Sequence, residues 1–410
     1  MDVAIAGAGI GGLAAALSLA KAGLDVRVFE SVREIRPLGV GINLLPHSVR
    51  HLFELGLQPA LDATGIRTSE LRYTTTRGET IWREPRGLEA GYRWPQFSIH
   101  RGRLQGLLLA AVRDRLGTDA VLLDHAATSV ETRADRAILT AGEETVEARL
   151  VIAADGIHSA LRARHYADEG PPIWNGAILW RATTEAVPYL DGRTMCMCGH
   201  EKQKFVCYPI TPAGSDGRAT INWIAERRFP TDRAWRREDW NRSGDLKEFL
   251  PHFADWRFPW LDVPALIEGA AAVYEYPMVD REPLPRWTFG RMTLLGYAAH
   301  PMYPIGSNGA SQAILDARAL AGATMRHGPT PEALAAYESE RRPKTSGIVL
   351  ANRRNGPEQV MQIVEERAPG GFSELNAIIS HDELAGIAST YKKLAGFDPA
   401  ILNAEPDLYR

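Results

Sequence analysis

Cysteine is nearly missing from this chain. Its 410 residues include three, Cys196, Cys198 and Cys207, close together in or near strand-like stretches. They have no second CxxC-type pair and no histidine at metal-ligand spacing. That excludes a disulfide framework and a zinc site, and leaves buried reduced thiols of a cytoplasmic protein as the expectation. Long hydrophobic runs are missing too, since no apolar stretch approaches the roughly 20 residues of a membrane-spanning helix. Charge of one sign is scarce: the net value of −3 builds in no general attraction to nucleic acid or to an anionic membrane. There is no low-complexity tract and no repeat of solenoid length. The first residues already read as strand and loop, so no signal peptide is expected. With 45% hydrophobic residues, a chain of this length can bury a large core divided into two or three domains.

What is present begins at the first residue. Val3–Ala6 is a short apolar run, and Gly7-Ala8-Gly9-Ile10-Gly11-Gly12 follows at once, a G-x-G-x-x-G. Leu13–Lys21 is Ala- and Leu-rich and reads as a helix stopped by Gly23; Val26–Phe29 is a second strand ending at Glu30. Each part has a physical task in holding a dinucleotide. Gly7 allows the tight turn, Gly9 leaves backbone open to a pyrophosphate, and Gly12 lets helix approach sheet. The free N–H groups and positive dipole end of the helix, at Ile10 and Gly11, face the phosphates. Glu30 accepts from ribose hydroxyls and disfavours a 2′-phosphate, which suits FAD or NAD better than NADP.

Further along, a glycine-bearing apolar loop covers 34–43, a short helix runs from Ser48 to Leu55, and a hairpin turns at Arg77-Gly78-Glu79. Ser98-Ile99-His100-Arg101 leads into a helix carrying Leu104, Leu107, Leu108, Ala111 and Val112 on one face. Leu150–Ala153 suits a buried parallel strand, broken by Asp155-Gly156. From about 170 to 285 strands dominate, at 177–184, 194–198, 204–209 and 219–225. The arginines at 227, 228, 233, 236, 237 and 242 are mixed with acids and read as a solvated helical face, not a nucleic-acid patch. Met292–Leu295 is a last strand and Gly306–Gly309 opens a long helix. Pro343 should kink or break the helix that starts near Glu332. The expected fold is α/β. A doubly wound, Rossmann-like domain is made from residues 1–170 and 286–350. A mostly antiparallel substrate sheet is inserted at 171–285, and 351–410 is a helical C-terminus.

Three glycine-bearing stretches each follow a strand: 7–12, DGIHSALR at 155–162 and GYAAHPMYPIGSNGASQAILDARAL at 296–320. Ligands of doubly wound sheets sit at the carboxyl ends of strands. FAD is long enough to need all three loops, whereas a simple NAD dehydrogenase needs only the first. The order GxGxxG, HR before a helix, DGxxSxxR, then G-x-AAH-x-x-x-P-x-G-x-x-G resembles the class A flavoprotein monooxygenases, the para-hydroxybenzoate hydroxylase-like enzymes, over about residues 1–350.

The resemblance implies FAD as cofactor and NADH or NADPH as transient electron donor. It also implies O2 as co-substrate and hydroxylation of a small aromatic or heteroaromatic compound through a flavin C4a-hydroperoxide. By the same resemblance Gly7, Gly9 and Gly12 hold the pyrophosphate and Glu30 the adenosine ribose. Arg101 reaches the phosphate or ribityl region, and Asp155 and Gly156 lie near the pyrophosphate. Gly41 passes beside the isoalloxazine and Pro304 flanks its reactive face. The N–H groups around Gly306, Ser307, Gly309 and Ala310 face the ring's N1 and C2 oxygen. One departure stands out: Tyr297 replaces the aspartate that in the family accepts hydrogen bonds from the ribityl or pyrophosphate region. Two other outcomes share these residues, a flavin oxidoreductase without hydroxylation and a small-molecule-binding protein that has lost FAD through Tyr297. Trp180 and Tyr208 are candidate substrate contacts or core aromatics. His300 and Asp280-Arg281 read as structural, and no catalytic base can be named.

Overall fold

The computed structural model of the chain describes residues 1–37, 39–230 and 242–409. Arg233, Arg236 and Arg237 lie outside the described residues. The N-terminal run forms the centre of a six-stranded sheet in the order Thr288–Phe289, Met292–Leu294, Leu150–Ala153, Val3–Ala6, Val26–Phe29, Val121–Leu122. Every pair is parallel except the first. Val3–Ala6 and Leu150–Ala153 are inaccessible along their whole length, as a strand covered on both faces requires. Helices Ile10–Lys21, Arg101–Leu116 and Gly309–His327, and a small antiparallel sheet from Ala127 to Ala148, close one core around them.

The second large sheet has seven strands in the order Tyr274–Asp280, Ile173–Ala186, Ala219–Arg228, Gln203–Pro209, Thr194–His200, Glu70–Thr74, Thr80–Pro85. The hairpin expected near residue 78 therefore joins this sheet, through a parallel pairing of Glu70–Thr74 with Thr194–His200. Because side chains alternate across a strand, the sheet has two distinct faces. One buries Trp180, Phe205, Trp223 and all three cysteines against Phe249, Phe253 and Trp256. The cysteines are unbridged, with Cys196 opposite Cys207 across the ladder. The other face carries Leu71, Tyr73, Met195, Met197 and Tyr208, packed on Val360, Met361, Val364, Ile379 and Leu384 of the C-terminal segment.

Two expectations are corrected. Helix Pro331–Asn352 continues through Pro343 without a break. Pro343 and Ser339, whose carbonyl loses its N–H partner, both lie on the exposed side, where water can take that carbonyl. Tyr337, Arg341, Thr345 and Ile348 anchor the buried side. Arg227 and Arg228 end the strand Ala219–Arg228 and do not form a helical face. Arg228 pairs with Glu201, and Arg227 lies over the Phe229 ring. The C-terminal segment holds helices Gln359–Arg367, His381–Ala395 and Pro399–Ala404. Among the described residues no helix is long and apolar enough to cross a membrane.

Candidate active site

The three glycine-bearing loops meet at the carboxyl ends of the parallel strands. Gly7 has φ +102°, and a Cβ there would lie 2.5 Å from the Ala154 carbonyl oxygen. A Cβ on Gly12 would run into the Gly7 carbonyl, and one on Gly11 would meet Leu295 at 2.9 Å. At Gly9 nothing lies within 4 Å. Helix Ile10–Lys21 starts from Gly9 without a side-chain cap, so its first N–H groups open onto that space, as an anion site requires. The Glu30 carboxylate ties the loop down, accepting from Ala8 N–H at 2.7 Å and from Ser31 and Val32. Gln105 reaches across from helix Arg101–Leu116 to the Ala8 carbonyl.

In the second loop Asp155 accepts weakly from Leu161 N–H, while its buried Oδ1 has no partner; burial raises its pKa. A Cβ on Gly156 would meet nothing within 4 Å. Arg162, nearly inaccessible, donates to the carbonyls of Ile157 and Ala298 and pairs with Glu169, clasping the second loop to the third. In the third loop His300 and the Gly296 N–H both bind Asp316, at 2.5 and 3.0 Å, and Arg341 completes the group. His300 is thus part of a buried support. Asp280 and Arg281 are supports as well: Asp280 takes a two-pronged contact from Arg353, and Arg281 pairs with Glu169.

Pro304 is exposed, and the next turn has positive φ at Gly306 and at Ser307, +66° and +57°. It leads into helix Gly309–His327, which again has no side-chain cap. Here the space is not open. The Tyr297 hydroxyl donates to the Met302 carbonyl at 3.3 Å, and a Cβ on Gly309 would run into it. Burial pushes the Tyr297 phenol pKa up, against the pull of Arg181 and Arg101. Arg101 begins its helix with its N–H on the Val40 carbonyl and its side chain against Gly39. Gly41 is clamped to the sheet. Its N–H donates to Asn222 at 2.7 Å, and its carbonyl accepts from the Tyr208 hydroxyl at 2.8 Å and from Arg181 at 3.3 Å. A side chain at Gly41 would collide with Asn222 and Tyr208. Tyr208 therefore faces the loops. Trp180 does not: it stacks on Phe249 at 4.7 Å in the opposite face's core, because it has the other parity in the sheet.

Beyond Gly306 and Ser307 lies a narrow cleft, partly open to solvent, between the sheet and the C-terminal helices. Met195, Met197, Leu71 and Leu45 give it apolar walls; Tyr73, Glu84, Arg86, Gln96, Tyr391 and Lys392 supply polar groups. These residues were missed from sequence. One signal was available: Trp82, Glu84 and Arg86 alternate onto the face of Leu71 and Tyr73, which puts two charges where a core strand carries apolar side chains.

The phosphate end fits FAD: the space at Gly9, the uncapped helix and the unfilled backbone at Gly156 are a cradle that side chains would block. Comparison with known proteins agrees. Residues 1–351 match the family model described as FAD binding domain. Phenazine 1,6-dicarboxylic acid hydroxylase of Lysobacter antibioticus is 49% identical over 86% of this chain and 89% of its own length. The 3-amino-4-hydroxybenzoate 2-monooxygenase of Streptomyces cremeus is 33% identical over 86% of each. A salicylate hydroxylase substrate complex superposes with a TM-score of 0.76 over 100% of this chain and 98% of that one, at 21% identity.

Proposed function

The chain belongs to the FAD-binding domain family and is an FAD-dependent, NAD(P)H-consuming aromatic monooxygenase; we propose that it hydroxylates a planar heteroaromatic carboxylic acid of the phenazine type. The observation carrying this is the cleft that begins at Gly306 and Ser307, with thioether and aliphatic walls and buried polar groups among them. Met side chains give an aromatic face soft, polarisable contacts. Stretches such as EIRPLGVGIN at 34–43 and NGASQAILD at 308–316 also resemble a methylphenazine-carboxylate monooxygenase. The relative at 49% identity carries a phenazine diacid in its name. The unbridged thiols suit a reducing cytoplasm.

FAD, when bound and reduced by NAD(P)H, supplies activated oxygen for transfer to the ring. The protein's own part is placement and exclusion. Gly7, Gly9 and Gly12 with the first turn at Ile10 and Gly11 would hold the pyrophosphate, and Glu30 would serve the ribose. Asp155 and Gly156 border the same space. Gly41 is held by Asn222, Tyr208 and Arg181, so its loop is fixed where the flavin ring would lie. The N–H groups from Ser307 to Ala310 would meet its electron-rich edge once the Tyr297 ring, now against Gly309, moves aside. The sheet face and helix His381–Ala395, which carries Tyr391 and Lys392, wall the cleft and would limit the access of water to a bound ring.

Turnover of phenazine-1,6-dicarboxylic acid with NADH or NADPH under ¹⁸O2 tests this reading. The expected product carries one ¹⁸O atom on the ring. Donor oxidation that yields only peroxide with this acid and with other heteroaromatic acids would refute it.

A further inference from the structure

Three charged side chains line the cleft: Glu84, Arg86 and Lys392. Glu84 is nearly inaccessible and is bracketed by both cations, Arg86 on Oε2 at 3.1 Å and Lys392 on Oε1 at 2.6 Å. Both cations together lower its pKa against the effect of burial, so it is ionised at neutral pH. One anion between two cations leaves the wall one positive charge in excess. Behind these residues Lys204 is shared by Glu358 at 2.6 Å and Glu226 at 2.9 Å, and Glu358 also accepts from the Gly306 N–H, so the excess belongs to the side chains that line the cleft and not to the region as a whole.

The wall also has donors with nothing to bind. Arg86 is 9% exposed, and its Nε–H has no acceptor. The Tyr73 hydroxyl, 1% exposed, has none either, and burial holds its proton on. A guanidinium is a planar fork suited to a carboxylate. We propose that Arg86, with Lys392 and the Tyr73 hydroxyl, forms a carboxylate-binding subsite that anchors an aromatic acid by its acid group at the wall of the cleft. Glu84 is the positioning residue: it holds the two cations together and stops them repelling. The ring then lies along Met195 and Met197 toward Gly306. The proposal rests on the heteroaromatic-acid reading and names the group of the substrate that is recognised.

The test is equilibrium binding to the holoenzyme, read by fluorescence quenching. It uses two acid and neutral pairs: phenazine-1,6-dicarboxylic acid with phenazine, and 3-amino-4-hydroxybenzoate with 2-aminophenol. Wild type should prefer the acid of whichever ring it binds. Arg86→Gln should weaken that acid by roughly 10- to 100-fold and leave the neutral partner within about twofold. Lys392→Gln should show a smaller selective loss. FAD content and the melting curve confirm that each variant is folded, and Lys392→Gln serves if Arg86→Gln is not. Equal losses for acid and neutral compound, or no loss for the acid, overturn the subsite. A wild type that binds only the benzoate, with selective loss in Arg86→Gln, keeps the subsite and refutes the phenazine reading. A wild type that binds the diacid, with Arg86→Gln and Lys392→Gln unaffected, does the reverse.

Discussion

Two helices of this protein begin at a glycine with no side-chain cap, and they differ in what stands before them. In front of Ile10–Lys21 the space at Gly9 is empty to 4 Å. In front of Gly309–His327 the Tyr297 ring is wedged against Gly309. Both ends offer unpaired N–H groups and a positive dipole to an anion. The first is ready for a phosphate as it stands. The second can meet a flavin edge only if Tyr297 gives way or the ring sits farther out. Backbone chemistry is the same at both ends, and one side chain from a neighbouring loop sets the difference.

The largest effect should come from closing the open end. Gly12→Val puts a branched side chain into the Gly7 carbonyl, and both the backbone turn and the phosphate cradle would have to shift. Purified Gly12→Val should retain no FAD, and its Tm should fall by several degrees, since overpacking of this kind costs about 1–3 kcal/mol or more. Retained FAD at the wild-type level would show that the first helix end is not the phosphate site.

Acid should act on the second end. His47 contacts Gln312 of the second helix and lies against the Phe397 ring at a tilt. Burial lowers its pKa from 6.5 to about 3. The folded state therefore resists a proton that the unfolded chain accepts, so stability is full above pH 6.5 and is lost progressively as pH falls toward 3. Tm measured across that window should drop more steeply in wild type than in His47→Gln. Parallel curves would remove His47 from the account.

The comparison is sharpened at Tyr297. Tyr297→Asp removes the ring over Gly309 and restores the carboxylate of the resembling family. FAD affinity should rise by about ten- to a hundredfold, measured by titrating apoprotein and following flavin fluorescence. The smallest effect belongs to Tyr208→Phe. It removes one of two donors on the Gly41 carbonyl while Arg181 remains, so about 0.5–1.5 kcal/mol of stability should be lost with FAD still bound. Thermal melts of the holoprotein read this change.

The open end was legible in the sequence because it is local. Strand, glycines, helix and acid lie within thirty residues, although the neighbours that forbid side chains at Gly7 and Gly11, Ala154 and Leu295, come from elsewhere in the chain. The replacement at Tyr297 was visible as a departure, but not the wedge against Gly309, which depends on how two loops cross. Trp180 and Tyr208 could not be told apart before strand parity was known. The cleft was the least legible part. Its walls come from Leu45, Tyr73, Arg86, Met197 and Lys392, which lie far apart in the chain and carry no motif. The last sixty residues close that cleft through tertiary packing alone. Pro343 misled because its rule concerns an isolated helix, and here the buried face holds the helix while the lost bond faces solvent.

The most direct measurement is an absorbance scan of the protein as purified and after addition of FAD, with heat-released flavin quantified, for wild type and Tyr297→Asp. The account predicts oxidised-flavin bands in both, with wild type needing more FAD to saturate. A wild type and a Tyr297→Asp variant that both stay colourless at saturating FAD would contradict it.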